Sequence, residues 1–306
     1  MIIPSVLGSP DYGLSHKRNG EEASQPPWSI RRVTILGYIL LSILATASCV
    51  DLTEIAQFAK SSQDVGNNYK RLADDTVATC HSAAKFFPQG RTPIDCDRYV
   101  QLESELAKVN DVFFAYIASL GKVASVAPPK AAFSNVGTEL QQADPQITQA
   151  QLGQAKAAGL ADALSKIVLS GYQQHTLARI INENNSSVQA VASFLSDYAA
   201  ARSGQVLYDS WTLEEQYCIS NRNQLSATEP LATKLLTWKC YEDKAKIDAQ
   251  IAGVEQYKKA LATIASTHKT LDKQRNAWST KELVQDIGPQ ISDLSAAALA
   301  MQKAFQ

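Results

Sequence analysis

Glycine and proline are scarce in this chain of 306 residues, 14 and 11 in number, and they fall mostly at segment ends. No run of strand length alternates polar with apolar residues ahead of a hairpin turn, so a sheet has no pattern to grow from. Net charge is lacking as well: 29 Lys and Arg stand against 30 Asp and Glu, a formal charge of −1. A chain so balanced has no field with which to gather polyanions, which sets nucleic acid aside as a partner.

Signatures of catalysis are missing too. There is no GxSxG elbow, no GxxxxGK[ST] loop and no GxGxxG turn. Only four histidines occur. His16 falls in the N-terminal lead, and His175 stands alone among glutamines. His268 occupies an apolar seam, where a core histidine is expected. His81 follows Cys80, yet the spacing of Cys80, His81 and Cys96 matches no familiar zinc pattern. The adjacent acids Asp74-Asp75 and Glu214-Glu215 point to different helix faces and read as solvated. No metal, no cofactor and no enzyme activity is expected.

What remains is rich in Ala, Gln, Leu, Lys and acids, a composition that favours helices. Between residues 51 and 87, Leu52, Ile55, Phe58, Val65, Tyr69 and Leu72 recur in steps of three and four, the stripe of a long amphipathic helix. Pro88, Gly90 and Pro93 end it, and Thr92 is placed to cap the next helix, which runs to about Val123. Ala127-Pro128-Pro129 marks an internal boundary. A short helix is predicted over Lys130–Gln142, and a capping box at Thr148-Gln149-Ala150-Gln151 opens an alanine-rich one. Asn182-Glu183-Asn184-Asn185 is expected to break that helix. The following one, through Val191, Leu195, Tyr198, Val206 and Leu213, is expected to end near Cys218. A capping box at Ser226-Ala227-Thr228-Glu229 then opens the longest helix. Leu231, Leu235, Trp238, Ile247, Val254, Leu261 and Leu271 give it a near-heptad seam. The last helix opens at Ser279-Thr280-Lys281-Glu282 and is expected to kink or split at Pro289.

One stretch stands apart. Arg31 and Arg32 precede an apolar run from Val33 to Ala45, and small residues follow in Thr46-Ala47-Ser48-Cys49. The run is shorter than the roughly 20 residues a membrane-spanning helix needs and has the layout of a secretory signal. Ending on cysteine, it resembles the signal of a bacterial lipoprotein, with Thr46 where that family usually has leucine. The resemblance implies cleavage before Cys49, acylation (including palmitate) of that cysteine, and a lipid anchor. Val50 replaces the aspartate that retains such proteins in the inner membrane, so it implies the outer membrane, facing periplasm or cell surface. An uncleaved signal anchor with a cytoplasmic tail is the rival reading. The chain then divides into a disordered lead (1–30), the signal (31–48), Cys49 with a first helical hairpin (49–127), and the remaining helices (128–306).

With Cys49 assigned to lipid, Cys80, Cys96, Cys218 and Cys240 remain, and an even number in an exported chain suggests two disulfides. Three pairings are possible. Cys80 and Cys96 flank one predicted bend, and Cys218 and Cys240 flank another, so the local pairing Cys80–Cys96 with Cys218–Cys240 needs no long-range contact. Around the second bend lie Trp211, Trp238 and Tyr241. Core packing against the disulfide is the favoured reading of these rings, and an exposed anchor for a partner is the alternative.

The sequence therefore predicts an all-α fold, an elongated antiparallel bundle of long helices with coiled-coil-like hairpins and two disulfides. The expected role is a membrane-anchored, non-enzymatic binding or scaffold component of the cell envelope with a protein partner. A membrane-active or inhibitory protein of toxin or immunity type is the alternative.

Overall fold

The computed structural model describes residues 52–85, 95–125, 159–160, 162–163, 174–225, 228–276 and 278–305. The lead, the signal, Cys49, the Ala127-Pro128-Pro129 boundary, the Lys130–Gln142 helix and the Thr148 capping box lie outside these residues. The chain divides into the units Met1–Cys49 and Val50–Gln306, and everything described belongs to the second.

Long helices account for most of the described residues, and no strand occurs among them. They are α1 (Thr53–Ala84), α2 (Cys96–Ala124), α3 (Gln174–Tyr198), α4 (Gln205–Leu225), α5 (Pro230–Gln274) and α6 (Thr280–Ala304). A π-helical turn, Ala199–Gly204, joins α3 to α4 without a break. The helices pack in a ring: α1 on α2, α2 on α3, α3 on α5, α5 on α6, and α6 back on α1. Helix α4 packs on α5 and on α1. The fold is an all-α bundle.

The stripes read from sequence form its core. Ile55, Phe58, Val65 and Leu72 from α1 are fully buried, as are Phe113, Tyr116 and Leu120 from α2 and Leu283, Ile287 and Leu294 from α6. At 1.5 Å rise per residue, the 45 residues of α5 extend about 68 Å. Both disulfides join the cysteines that flank the predicted bends, Cys80–Cys96 with Cα atoms 5.9 Å apart and Cys218–Cys240 at 6.1 Å.

Four local expectations are corrected. Helix α3 runs straight through Asn182-Glu183-Asn184-Asn185, because these amides find partners that suit a helix. Asn184 donates to the Ile180 carbonyl, while Asn182 and Asn185 donate to Asp272 of α5 at 2.9 and 3.2 Å. Helix α2 starts at Cys96 and is capped by Asp95, whose Oδ1 accepts from the Arg98 N–H at 2.9 Å, not by Thr92. Helix α4 continues past Cys218 to Leu225, and α5 begins with Pro230 at its first position and no side-chain cap at Glu229. Finally, α6 continues through Pro289 and is not split there. That residue is exposed, as is Gln285 one turn before it, so water can satisfy the carbonyl that proline leaves unpaired. The box at Ser279 forms as read: the Ser279 hydroxyl accepts from the Glu282 N–H at 3.2 Å and donates to the Glu282 carboxylate at 3.0 Å.

The π turn changes which residues face inward. From the turn onward the buried positions are Ser203, Leu207, Ser210 and Glu214, with Leu207 and Glu214 one step past the expected Val206 and Leu213. A π turn inserts a residue and so rotates the following face. Ser203 is thereby carried into the core beside Glu103. Tyr99 donates to Ser203 at 3.0 Å, Ser203 to Glu103 at 3.3 Å, and Tyr69 to Glu103 at 2.8 Å. Burial pushes the Glu103 carboxyl up, and the donated hydrogen bonds pull it back down.

One helix contact tests the packing sharply. A Cβ on Gly66 of α1 would lie 2.4 Å from Cγ of the buried Phe114 of α2. The ring also meets Phe113 edge-on at 5.3 Å, so displacing it disturbs a second buried ring. Gly66→Ala should therefore destabilise the protein by about 1–3 kcal/mol in urea unfolding, although alanine is the better helix former. Equal or greater stability of the variant would show that α1 and α2 do not pack this closely.

Candidate functional site

Helices α4 and α5 run on past the last residues that the bundle buries. The last buried residue of α4 is Glu214 and the first of α5 is Ile247. Between them, no described residue from 215 to 246 is buried. This segment is a helical hairpin whose described residues are all at least partly exposed. It has no core of its own, and the Cys218–Cys240 bridge holds the arms together.

The residues assigned to a near-heptad seam of α5 therefore have two fates. From Ile247 onward they are buried in the body, with Val254, Leu261 and Leu271 almost wholly covered. On the hairpin, Leu231 is 72% exposed, Leu235 59%, Trp238 65% and Tyr241 68%. The first three stand at i, i+4 and i+7 and share one helix face. The reading of Trp238 and Tyr241 as rings packed on the disulfide is thus corrected: they lie in solvent, on sides of α5 turned away from the one that Ile247 buries. Trp211 differs. It is half-buried, stacked on Tyr208 with centroids 6.3 Å apart, and the Lys244 ammonium lies 4.9 Å from its ring centre.

Along one side of the hairpin runs a groove of about 280 Å³, lined by Trp211, Glu214, Arg222, Cys240, Tyr241 and Lys244 among others. Tyr241 lines this groove, while Leu231, Leu235 and Trp238 do not. Glu214 at its base was expected in solvent, yet it is buried, and its Oε2 has no hydrogen-bond partner. Glu215 beside it is exposed, so only one of the two adjacent acids is solvated. Burial, with the nearby Asp243 charge adding to it, pushes the Glu214 carboxyl up to about 7, against the opposing pull of Lys239 and Lys246.

His268 is the core histidine the seam implied, wholly buried and held neutral by burial with its pKa lowered to about 3. Asn185 gives its amide N–H to Asp272 and offers its carbonyl to His268 Nδ1 at 3.2 Å. The proton therefore sits on Nδ1, and Nε2 accepts from the Tyr116 hydroxyl at 3.0 Å. Periodicity ranks apolar residues and gave no sign that Asn185, Asp272 and His268 would meet.

Cys80 and Cys96 are bonded to each other, so their sulfurs are not ligands beside His81. Among the described residues, no three His, Cys, Asp or Glu side chains are placed to hold a metal ion, and no helix is long and apolar enough to cross a membrane. Cys49 lies outside the described residues. Comparison with known proteins finds no matching family model, no matching curated protein and no matching solved structure.

Two outcomes check this description. Glu214 holds a proton in the folded chain that it loses when unfolded, across the window from the ordinary carboxylate range up to about pH 7. Its burial therefore lowers stability as pH rises through that window, and the whole penalty is present above it. Glu214→Gln should raise stability near pH 8 by on the order of 1–2 kcal/mol and leave it unchanged near pH 4, read from urea midpoints. An equal gain at both pH values would mean that Glu214 is not the titrating group. The clip closes a separation of 22 residues. Paired Cys218→Ser and Cys240→Ser changes should remove about 3 kcal/mol of constraint. Amide exchange should then speed up in 215–246 while the body stays protected, and uniform loss of protection would sink the idea of a coreless hairpin.

Proposed function

We propose that this chain is a tethered, non-enzymatic binding and scaffold component of a bacterial cell envelope, working through the α4–α5 hairpin. The signal-like stretch from Arg31 to Cys49 supports export, with Cys49 acylated and the helical unit held at the outer membrane on its periplasmic or outer face. The two disulfides suit an oxidising compartment. The observation that carries the binding reading is the exposed stripe of Leu231, Leu235, Trp238 and Tyr241. Four large apolar side chains on one short, covalently clipped hairpin form the kind of patch that marks an interaction site. Tryptophan and tyrosine are also the residues most often found as interface hot spots.

The same rings favour a second reading. Tryptophan and tyrosine suit the boundary between lipid and water, so a membrane-active or inhibitory protein would also present them.

A photo-crosslinking residue at 238, compared with one at the exposed Val284 of α6, separates these readings in intact envelopes. A protein adduct from position 238 and none from 284 is the expected result. Lipid adducts together with leakage of dye-loaded liposomes would replace the binding reading with the second one. The anchor is tested by Cys49→Ala, which should shift the chain out of the membrane fraction. Unchanged size, acylation and fractionation would remove it.

A further inference from the structure

We propose that the outer face of α5 from Pro230 to Lys246 pairs with the same face of a second copy of this chain, the two helices running antiparallel about a two-fold axis at Trp238. The proposal rests on the binding reading above and names its partner.

The first support is length. Helix α5 begins at Pro230, and its first residue buried in the body is Ile247. Trp238 stands at the middle of the free segment. Around an antiparallel centre at Trp238, Pro230 of one copy falls opposite Lys246 of the other, so the two free segments overlap along their whole length. A centre displaced along the helix would overlap less of the two stripes and leave apolar surface bare.

Register supplies the second support. Leu231, Trp238 and Ala245 lie one heptad apart, flanked by Lys234, Leu235, Tyr241 and Glu242 on the same exposed face. Residues equidistant from Trp238 meet across the axis. Leu231 then faces Ala245, Leu235 faces Tyr241, and Lys234 faces Glu242. The charged pair occurs twice by symmetry, as an isologous contact requires. In the single copy Glu242 is bonded to Lys239 at 3.4 Å, while Lys239 has its closer partner in Asp243 at 2.5 Å. Glu242 can turn to a partner's Lys234 and leave Lys239 paired.

Area is the third. The four apolar side chains expose about 500 Å² per copy, taking roughly 150–250 Å² for a fully exposed aromatic ring and somewhat less for leucine. Two copies together bring about 1,000 Å², the threshold a specific interface has to reach and a size that suits a weak, concentration-dependent dimer.

Sedimentation of the full-length chain in mild detergent tests the pairing. A concentration-dependent dimer is expected, and Trp238→Glu should abolish it. Lys234→Glu and Glu242→Lys each turn two attractive contacts into repulsive ones and should weaken the dimer by about tenfold. Mixing these two variants should restore it, because each then presents the charges the other needs. A folding defect could not be rescued by mixing. A monomer at every concentration, or a dimer indifferent to both reversals, would overturn the pairing. So would a monomer whose tryptophan emission shifts on phospholipid vesicles in a Trp238-dependent way, since the stripe would then face lipid. If a different protein is captured at position 238 by a chain that stays monomeric, the binding reading stands and this partner is wrong.

Discussion

The helices of this bundle differ in length, and the mismatch governs most of what is distinctive about it. Helices α1, α2 and α6 have 32, 29 and 25 residues, whereas α5 has 45 and α3 runs on through its π turn into the 21 residues of α4. Shorter rods cannot cover longer ones along their whole length. A two-helix extension is therefore unavoidable, and it begins where burial stops, at Glu214 and Ile247. A hairpin of two helices buries little on its own and leans on other constraints for its order. Here the constraint is Cys218–Cys240. The exposed stripe, the side groove and the raised Glu214 carboxyl all belong to the place where the body runs out.

Inside the body, position along the rods is fixed by buried polar groups as much as by apolar stripes. Apolar side chains tolerate a one-turn slip better than a hydrogen bond does, because a displaced donor in a dry core is left unpaired. Glu103 gathers Tyr69 from α1 and Ser203 from the π turn. Tyr257 of α5 donates to Asn110 of α2 at 2.8 Å. His268 ties α5 to Tyr116 of α2 and Asn185 of α3. These bonds join α1, α2, α3 and α5 at several heights. The π turn belongs to the same scheme, since without its added residue Ser203 would not face Glu103.

Fold class, both disulfides and most of the core were legible in the sequence, and the reason is period. Steps of three and four name the buried face of an isolated amphipathic helix regardless of its neighbours, which is why Ile55, Val65 and Leu72 fall where expected. Period says nothing of where the neighbours stop. Trp238 and Ile247 stand nine residues apart, half a turn out of phase, so the apolar residues of the hairpin and those of the body lie on opposite sides of one helix and a single stripe cannot be drawn through both. Glu214 and Glu215 show the same limit from the other side: adjacent acids look alike in sequence, and only the packing of α4 on α5 and α1 decides which is buried. The asparagines of α3 misled for a related reason. Their tendency to end helices is a local preference, and it lost to partners on α5 that lie far away along the chain.

The two disulfides also differ in what depends on them. Cys80 and Cys96 are almost fully buried where α1 meets α2, and an extensive core holds those helices together with or without the bond. Cys218 and Cys240 are half-exposed and join arms that share no core. Reducing conditions would therefore spare the body and release the hairpin. In the exported reading this makes the stripe conditional on compartment: it is displayed in register only where thiols are oxidised, beyond the inner membrane. A chain held back in the cytoplasm would keep its bundle and lose the ordered face of α5, so a binding surface built this way is assembled only after delivery.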